Sequence, residues 1–328
     1  MNKNLDQDSI KNKNIYKQKA LTPFKRVQEL AHCFIKSLPM FIKSNNSKKY
    51  LEDINLSDWY SPSNPVKQSQ DLVITWIGNS SFLIQISRFN ILVDPIFYDS
   101  MFLFKRVLPA GIDINNLPKI DFILISHDHA DHMNYKSLLE LKKHNAIILT
   151  PMGTKRWFEN NKFVNVFEFD WWQNFVFTLD TQTIEFNFLP AVHWSGRSIN
   201  QINKSLWGSW MITANNKNIY FAGDTAYDNH FKDIAQKFNS IDVALLPISP
   251  VEPRKIVKYS HIDSFEAVKA FIDLNANNFI PMHWGTFKAN LDTFYLPVQK
   301  LNQYWAEQQN FLGNKKLHVL KFGQSIQF

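Results

Sequence analysis

Past its first fifty residues the chain alternates short apolar runs with turn residues, the rhythm of buried strands rather than of long helices. Residues 72–76, 81–86 and 90–93 read as three strands, with turns at Gly78-Asn79 and Arg88-Phe89 where the apolar pattern breaks. A fourth strand at 120–126 is followed by a helical stretch at 135–143 and a short buried strand at 146–150. The pattern then begins again with a helix at 154–160 and a strand at 164–169. The second half is a loose echo of the first, with strands at 183–189, 209–214, 218–222, 243–247 and 279–282 and helices at 264–274 and 297–308. With no repeat of about 20 to 50 residues and no low-complexity linker, this alternation predicts one α/β domain over residues 51–328, made of two sheet halves with helices outside.

Residues 1–50 have a different character. The first twenty, rich in Asn, Lys and Asp, hold too little apolar surface to fold alone and read as a tail. Thr22 and Pro23 then form a helix start, and Phe24, Val27, Leu30, Ala31, Phe34, Ile35 and Leu38 recur at spacings of three and four until Pro39. Lys25, Arg26, Lys36 and Lys43 surround that stripe, so the helix is amphipathic and basic. It suits two roles equally: lying on an anionic membrane surface, or docking on the domain or on a second subunit in a homodimer.

Composition narrows the class. A chain of 328 residues with 45% hydrophobic content can bury a full core. Its single cysteine, Cys33, excludes an internal disulfide framework and any cysteine-rich zinc site. No run approaches the roughly 18 to 20 apolar residues that span a bilayer, and the N-terminus lacks an apolar signal core. The expectation is a cytoplasmic protein, peripheral to the inner membrane face if the basic helix docks there. Residues 1–50 carry eleven Lys or Arg against three Asp or Glu, a net of +8 that leaves the remainder of this +7 chain at −1. A near-neutral domain lacks the distributed basic surface that tracking a nucleic acid requires, so no nucleic-acid partner is expected.

The candidate chemistry sits at strand exits. Behind the apolar run 120–125 comes Ser126-His127-Asp128-His129-Ala130-Asp131-His132, in which five of seven residues can bind a metal. His127 and His129 are two apart, so on an extended segment both imidazoles face one side and can close on one ion, with Asp131 and His132 reaching a second. Imidazole nitrogen mixed with carboxylate oxygen suits zinc, and a catalytic zinc keeps a position for water. His193 after Pro190-Ala191-Val192, Asp224 after Gly223, and His283 after Pro281-Met282 repeat the same logic. His32, His144, His230 and His318 have no such neighbourhood and read as ordinary packing or surface residues.

These motifs, in this order, resemble the metallo-β-lactamase superfamily, whose αβ/βα four-layer sandwich has two mixed β-sheets flanked by helices. Thr75-Trp76-Ile77-Gly78, Val93-Asp94-Pro95, Glu252-Pro253-Arg254, Tyr259-Ser260-His261-Ile262-Asp263 and His283-Trp284-Gly285-Thr286 further resemble its N-acylphosphatidylethanolamine-hydrolysing phospholipase D-like group, over roughly residues 50 to 328. The resemblance implies two Zn2+ ions, one held by His127, His129 and His193, the other by Asp131, His132 and His283, with Asp224 bridging. It implies catalytic roles for Asp131 and for His261, the latter near the reactive phosphate rather than in the metal shell. The chain departs from the group at Asn79, Ala130 and Asn134, where relatives often carry His, Tyr and Asp. Two close ions would hold a bridging water and lower its pKa from about 15.7 to near 7, supplying hydroxide without a protein nucleophile.

Arg197 and Arg254 are candidates for gripping a phosphate, with ordinary ion pairing as the alternative for each. The expected substrate is a phospholipid or other phosphodiester. A lactone, sugar phosphate or other small ester on the same fold, or a metal-binding regulator without catalysis, are the rivals. Removal of residues 1–45 is expected to weaken binding to anionic vesicles in a salt-sensitive way while leaving turnover of a soluble phosphodiester intact; vesicle co-sedimentation checks it.

Overall fold

Strands buried on both faces set the architecture. The computed structural model describes residue 51, residues 54–99 and residues 105–328; the amphipathic stretch expected at 22–38 lies outside the described residues. The first sheet contains β1 (Val73–Gly78), β2 (Ser81–Ile86), β3 (Phe89–Val93), β4 (Phe122–Leu124), β5 (Ile147–Pro151) and β6 (Val166–Phe169). The second contains β7 (Gln173–Leu179), β8 (Gln182–Leu189), β9 (Ser209–Ala214), β10 (Lys217–Phe221), β11 (Ile241–Pro247), β12 (Ala276–Met282) and β13 (Lys316–Leu317). Finally β14 (Ser325–Gln327) returns to pair with β1.

Both sheets are mixed in the same sense. β1, β2 and β3 are antiparallel neighbours, and β3 to β6 run parallel. Likewise β7 to β10 are antiparallel and β10 to β13 parallel. Parallel neighbours need a crossover, and each one after β4 carries at least one α-helix. α1 (Tyr135–Leu141) and α2 (Lys155–Asn160) serve the first sheet. α3 (His230–Lys237), α4 (Arg254–Val257), α5 (Ser264–Asp273), α6 (Leu296–Glu307) and α7 (Gln309–Leu312) serve the second.

The period-2 alternation of the strands then builds four layers. Ile74, Trp76, Phe82, Ile84, Ile91, Val93, Phe122 and Leu124 of the first sheet share one core with Phe186, Phe188, Trp210, Ile212 and Phe221 of the second. Their alternates Ile77, Leu83, Leu92 and Ile123 face the other way, onto Leu138, Leu141 and Phe158 of α1 and α2. Phe122 joins the sheets directly, with ring centroids 4.8 Å from Phe186 and 5.3 Å from Phe177. This is the metallo-β-lactamase fold expected from the sequence.

The differences have local causes. The fourth strand is shorter than 120–126 because Ser126 is drawn out of register, its N–H donating to Asp94 Oδ1 at 2.7 Å. β7 was not anticipated; it is an edge strand with Asn174, Val176 and Thr178 exposed, so its pattern is diluted by polar positions. α3 buries only a narrow stripe, Phe231 and Ile234, beside His230. No helix among the described residues is long and apolar enough to cross a membrane.

Truncating the inter-sheet ring in Phe122→Ala is expected to destabilise the protein by about 3–5 kcal/mol. Val164→Ala, at a residue 79% exposed, is expected to stay within about 0.5 kcal/mol. Denaturant midpoints of the two variants check the contrast.

Candidate metal centre

The ends of strands from both sheets converge on one polar pocket. β4 leads through Ser126 into His127, His129, Asp131 and His132; β8 leads into His193, β10 into Asp224, and β12 into His283. Gly223 makes the turn before Asp224 possible. Its φ is +58°, and a Cβ there would lie 2.7 Å from the Ser126 side chain, so no larger residue fits between the two sheets. His261 arrives from a loop fixed by the start of α5, where Asp263 caps the helix by accepting from the Glu266 N–H at 2.9 Å.

Two sets of ligand atoms form. In the first, His129 Nδ1 lies 2.9 Å from His127 Nε2 and 3.2 Å from His193 Nε2. In the second, Asp131 Oδ2 lies 3.5 Å from both His132 Nε2 and His283 Nε2. Asp224 stands between them, its Oδ2 3.3 Å from His132 Nε2, 3.2 Å from His283 Nε2 and 4.0 Å from His193 Nε2. Donors about 2.0–2.1 Å from one tetrahedral zinc are spaced by roughly 3.3 Å, so these separations suit a metal.

The backs of the rings decide which nitrogen points inward. Asp94 Oδ2, an acceptor only, lies 2.7 Å from His132 Nδ1. The Ser260 carbonyl lies 2.8 Å from His193 Nδ1, and the Ser249 carbonyl 3.1 Å from His283 Nδ1. Each of these three rings must carry hydrogen on Nδ1, so in its neutral form its Nε2 lone pair faces the pocket. His127 is held in the same sense: Ser126 Oγ donates to Asp94 Oδ2 and thus accepts from His127 Nδ1 at 2.9 Å. His132 Nε2, His283 Nε2 and Asp224 Oδ1 are buried and make no hydrogen bond. Atoms so placed fit a bound cation.

Charge is divided between the two sets. Burial and the neighbouring rings hold His127 well below the usual imidazole range, and burial also lowers His129. Burial acts on His132 and His283 too, but the carboxylates of Asp224 and Asp131 outweigh it: His132 is raised well above its ordinary value and His283 to about 10. The same contacts lower Asp131 and Asp224 against the opposing pull of burial. Metal-free, the pocket therefore balances two carboxylates with two imidazolium rings.

The seven residues expected as ligands from the sequence thus meet in space. His261 joins their edge, its Nδ1 3.6 Å from Asp224 Oδ2 and its ring stacked on His283 at 5.6 Å. Burial holds it neutral, down to about 3. Asp128, counted among the metal-capable residues of the motif, turns away: its carboxylate accepts from the Gly196 N–H at 2.7 Å and Ser205 Oγ at 2.8 Å, anchoring the loop after His193.

The arginines correct the expectation in part. Arg254 does not face the pocket; its guanidinium pairs with Asp263 and Glu266 and donates to the His261 carbonyl at 2.9 Å. Two carboxylates hold it more strongly than a transient anion would, so its effect on the site passes through the His261 loop. Arg197 donates to the Met133 carbonyl at 2.9 Å and lies over the Trp157 ring at 5.5 Å, on an exposed loop.

Four supporting groups had no assigned role in the sequence. Asp94 stood in the Val93-Asp94-Pro95 segment of the resemblance without a role of its own, although an acid directly after β3, parallel to the strand that carries the motif, is a readable signal. Asn79 donates through Nδ2 to the Asp131 carbonyl at 3.1 Å while its own carbonyl accepts from the His283 N–H at 3.0 Å, tying Asp131 to His283. The carbonyls of Ser249 and Ser260 are backbone groups and leave no signature.

Fold and site together define a hydrolase of the metallo-β-lactamase fold. A family profile described as the β-lactamase superfamily domain matches residues 89–284. N-acyl-phosphatidylethanolamine-hydrolyzing phospholipase D 1 of Caenorhabditis elegans is 32% identical over 84% of this chain and 79% of that protein. The mitochondrial N-acyl-phosphatidylethanolamine-hydrolyzing phospholipase D of Saccharomyces cerevisiae is 36% identical over 69% of this chain and 50% of that protein, so the match spans half the length of the yeast relative. A metallo hydrolase from the archaeon Ignicoccus hospitalis shares the fold at a TM-score of 0.58 and 20% identity, covering 78% of this chain and 98% of that one. The chain belongs to the β-lactamase superfamily and, within it, to the group that includes these N-acyl-phosphatidylethanolamine-hydrolyzing phospholipases D.

Because His132 and His283 hold their protons in the metal-free pocket at neutral pH, while His127 and His129 do not, metal uptake is expected to release about two protons per chain. Affinity should fall as pH drops, since each proton competes with the ion. Calorimetric titration of the metal-free protein in buffers of different ionisation enthalpy measures the count.

Proposed function

We propose that this protein is a zinc-dependent phosphodiesterase of the phospholipase D type, acting on N-acylphosphatidylethanolamine-like phospholipids. The observation that carries the metal reading is the set of four histidines whose Nε2 lone pairs are turned inward by acceptors behind the rings. His127, His129 and His193 would hold one ion, Asp131, His132 and His283 the other, with Asp224 between them. A nitrogen-and-carboxylate set without thiolates suits zinc. When bound, two such ions lower the pKa of water at the site and offset negative charge on a phosphoryl group.

The residues supply the remaining chemistry. Asp131, at the edge of the second set with a side chain 32% exposed, is the candidate to take up the proton lost by an attacking water. Attack at phosphorus breaks the bond to the ethanolamine oxygen, which takes the proton that Asp131 received from water, leaving phosphatidic acid and an N-acylethanolamine. His261, held neutral, is suited to donate a hydrogen bond to a phosphoryl oxygen rather than to act as a cationic acid. Arg254 steadies that histidine by gripping its carbonyl. Arg197, on the exposed loop that Asp128 anchors, is the candidate for contact with the lipid phosphate or headgroup.

The substrate class is supported by the relatives' names. Elemental analysis of fully active protein is expected to find two zinc ions per chain, and a screen across N-acylated phospholipids, lactones, cyclic nucleotides and aryl phosphodiesters is expected to favour the first. One metal or none, or preferential lactone cleavage, overturns the reading. His261→Ala should retain both ions and the fold while lowering kcat/KM by about 100-fold or more; metal analysis alongside steady-state kinetics separates this from loss of a ligand.

A further inference from the structure

Asp292 is a buried carboxylate for which the mechanism above has no use, and it lies outside the matched family stretch. It is 4% exposed, and the groups that donate to it are neutral, one hydroxyl and two backbone N–H groups. Burial pushes its pKa up, against the hydrogen bonds it receives. An unpaired buried carboxylate is destabilising unless its hydrogen bonds are well made.

Those bonds converge on one short segment. Asp292 Oδ2 accepts from Ser249 Oγ at 2.9 Å and the Val251 N–H at 2.8 Å, and Oδ1 accepts from the Glu252 N–H at 2.9 Å. Asn290 reinforces the arrangement: its Nδ2 donates to Ser249 Oγ at 3.0 Å, and its Oδ1 accepts from the Asp292 N–H at 3.0 Å. The segment so held presents the Ser249 carbonyl to His283 Nδ1 at 3.1 Å. Asp292, Ser249, His283, Asn79 and Asp131 line one small cavity of about 40 Å³.

We propose that Asp292 is a positioning residue for the second ligand set: by fixing residues 249–252 it keeps the Ser249 carbonyl behind His283, so that His283 carries its proton on Nδ1 and presents Nε2 to the pocket. The inference rests on His283 being a metal ligand, and it predicts a selective effect. Asp292→Asn has the same shape but turns an NH2 group toward donors, so the segment must shift. The first ligand set, in which His127 and His193 rest on Ser126 and the Ser260 carbonyl, is expected to stay in place.

The test uses the full-length protein. Metal-free wild type, Asp292→Asn and Ser249→Ala are titrated with Co2+ alone, following visible absorption, and the histidine tautomers of the metal-free proteins are read at high pH by long-range 15N–1H NMR. Asp292→Asn is expected to weaken one of the two Co2+ steps by about 10–100-fold, leave the other within about twofold, and move His283 away from the Nδ1–H tautomer. Ser249→Ala, which removes only the hydroxyl donor, should shift the same step less. Unchanged affinities and tautomer, or equal weakening of both steps, overturn the proposal. If Asp292→Asn does not fold, an unchanged Co2+ step and tautomer in Ser249→Ala overturn it, and a selective shift upholds it. If wild type binds no Co2+, the two-metal reading fails, and the tautomer measurement still decides whether Asp292 governs His283.

Discussion

Four of the five rings that form the two ligand sets depend on a hydrogen-bond acceptor behind them; the fifth, His129, presents Nδ1 instead. Imidazole has two nitrogens and in its neutral form one proton, so an acceptor at Nδ1 is what aims a lone pair from Nε2. Asp94, directly and through Ser126, does this for His132 and His127; the Ser260 and Ser249 carbonyls do it for His193 and His283. If these acceptors moved, the rings could turn and pair with one another, and the pocket would become an ordinary polar cluster.

Rigidity behind the acceptors comes from the double-sided burial of the sheets. Asp94 follows β3, whose Val93 is paired with Leu124 of β4, so the acceptor and the motif that it orients ride on adjacent parallel strands. Leu245 and Leu246 of β11 are paired with Ile280 and Pro281 of β12, which places the Ser249 segment beside the His283 turn. Apolar residues on both faces of these strands fix their spacing, and packed interiors resist small displacements. Polar precision at the strand ends is thus a consequence of close packing farther down.

The same arrangement explains how so much charge survives burial. Asp131 and Asp224 lie against His132 and His283, so the metal-free pocket contains its own counter-ions, and removing one partner would leave a buried charge unbalanced. Under the proposed function, exchange of those protons for divalent ions would leave the pocket cationic, as an anionic substrate requires. His261 and Arg254 form a separate layer: the arginine is fixed by Asp263 and Glu266 at the start of α5, and it steadies the loop that carries the histidine.

Much of this was legible in the sequence. The apolar runs of β2 and β9 have in the structure the bounds that their pattern predicts, 81–86 and 209–214, because strands buried on both faces announce themselves as continuous apolar segments. The spacing of His127, His129, Asp131 and His132 indicated metal chemistry, since side-chain identity and local periodicity are properties of the chain alone. β7, an edge strand paired with the β8 that follows it, and the two-residue β13 were not legible, because pairing and not pattern makes them strands. What only the tertiary structure decided is which nitrogen each histidine offers, that Asp128 faces a loop and Arg254 a helix start, and that Asp94, Asn79 and Asp292 brace the ligands. A sequence records which groups can donate or accept; which of them meet depends on backbone carbonyls and on residues far apart along the chain, brought within hydrogen-bond distance only when the two sheets close on one another.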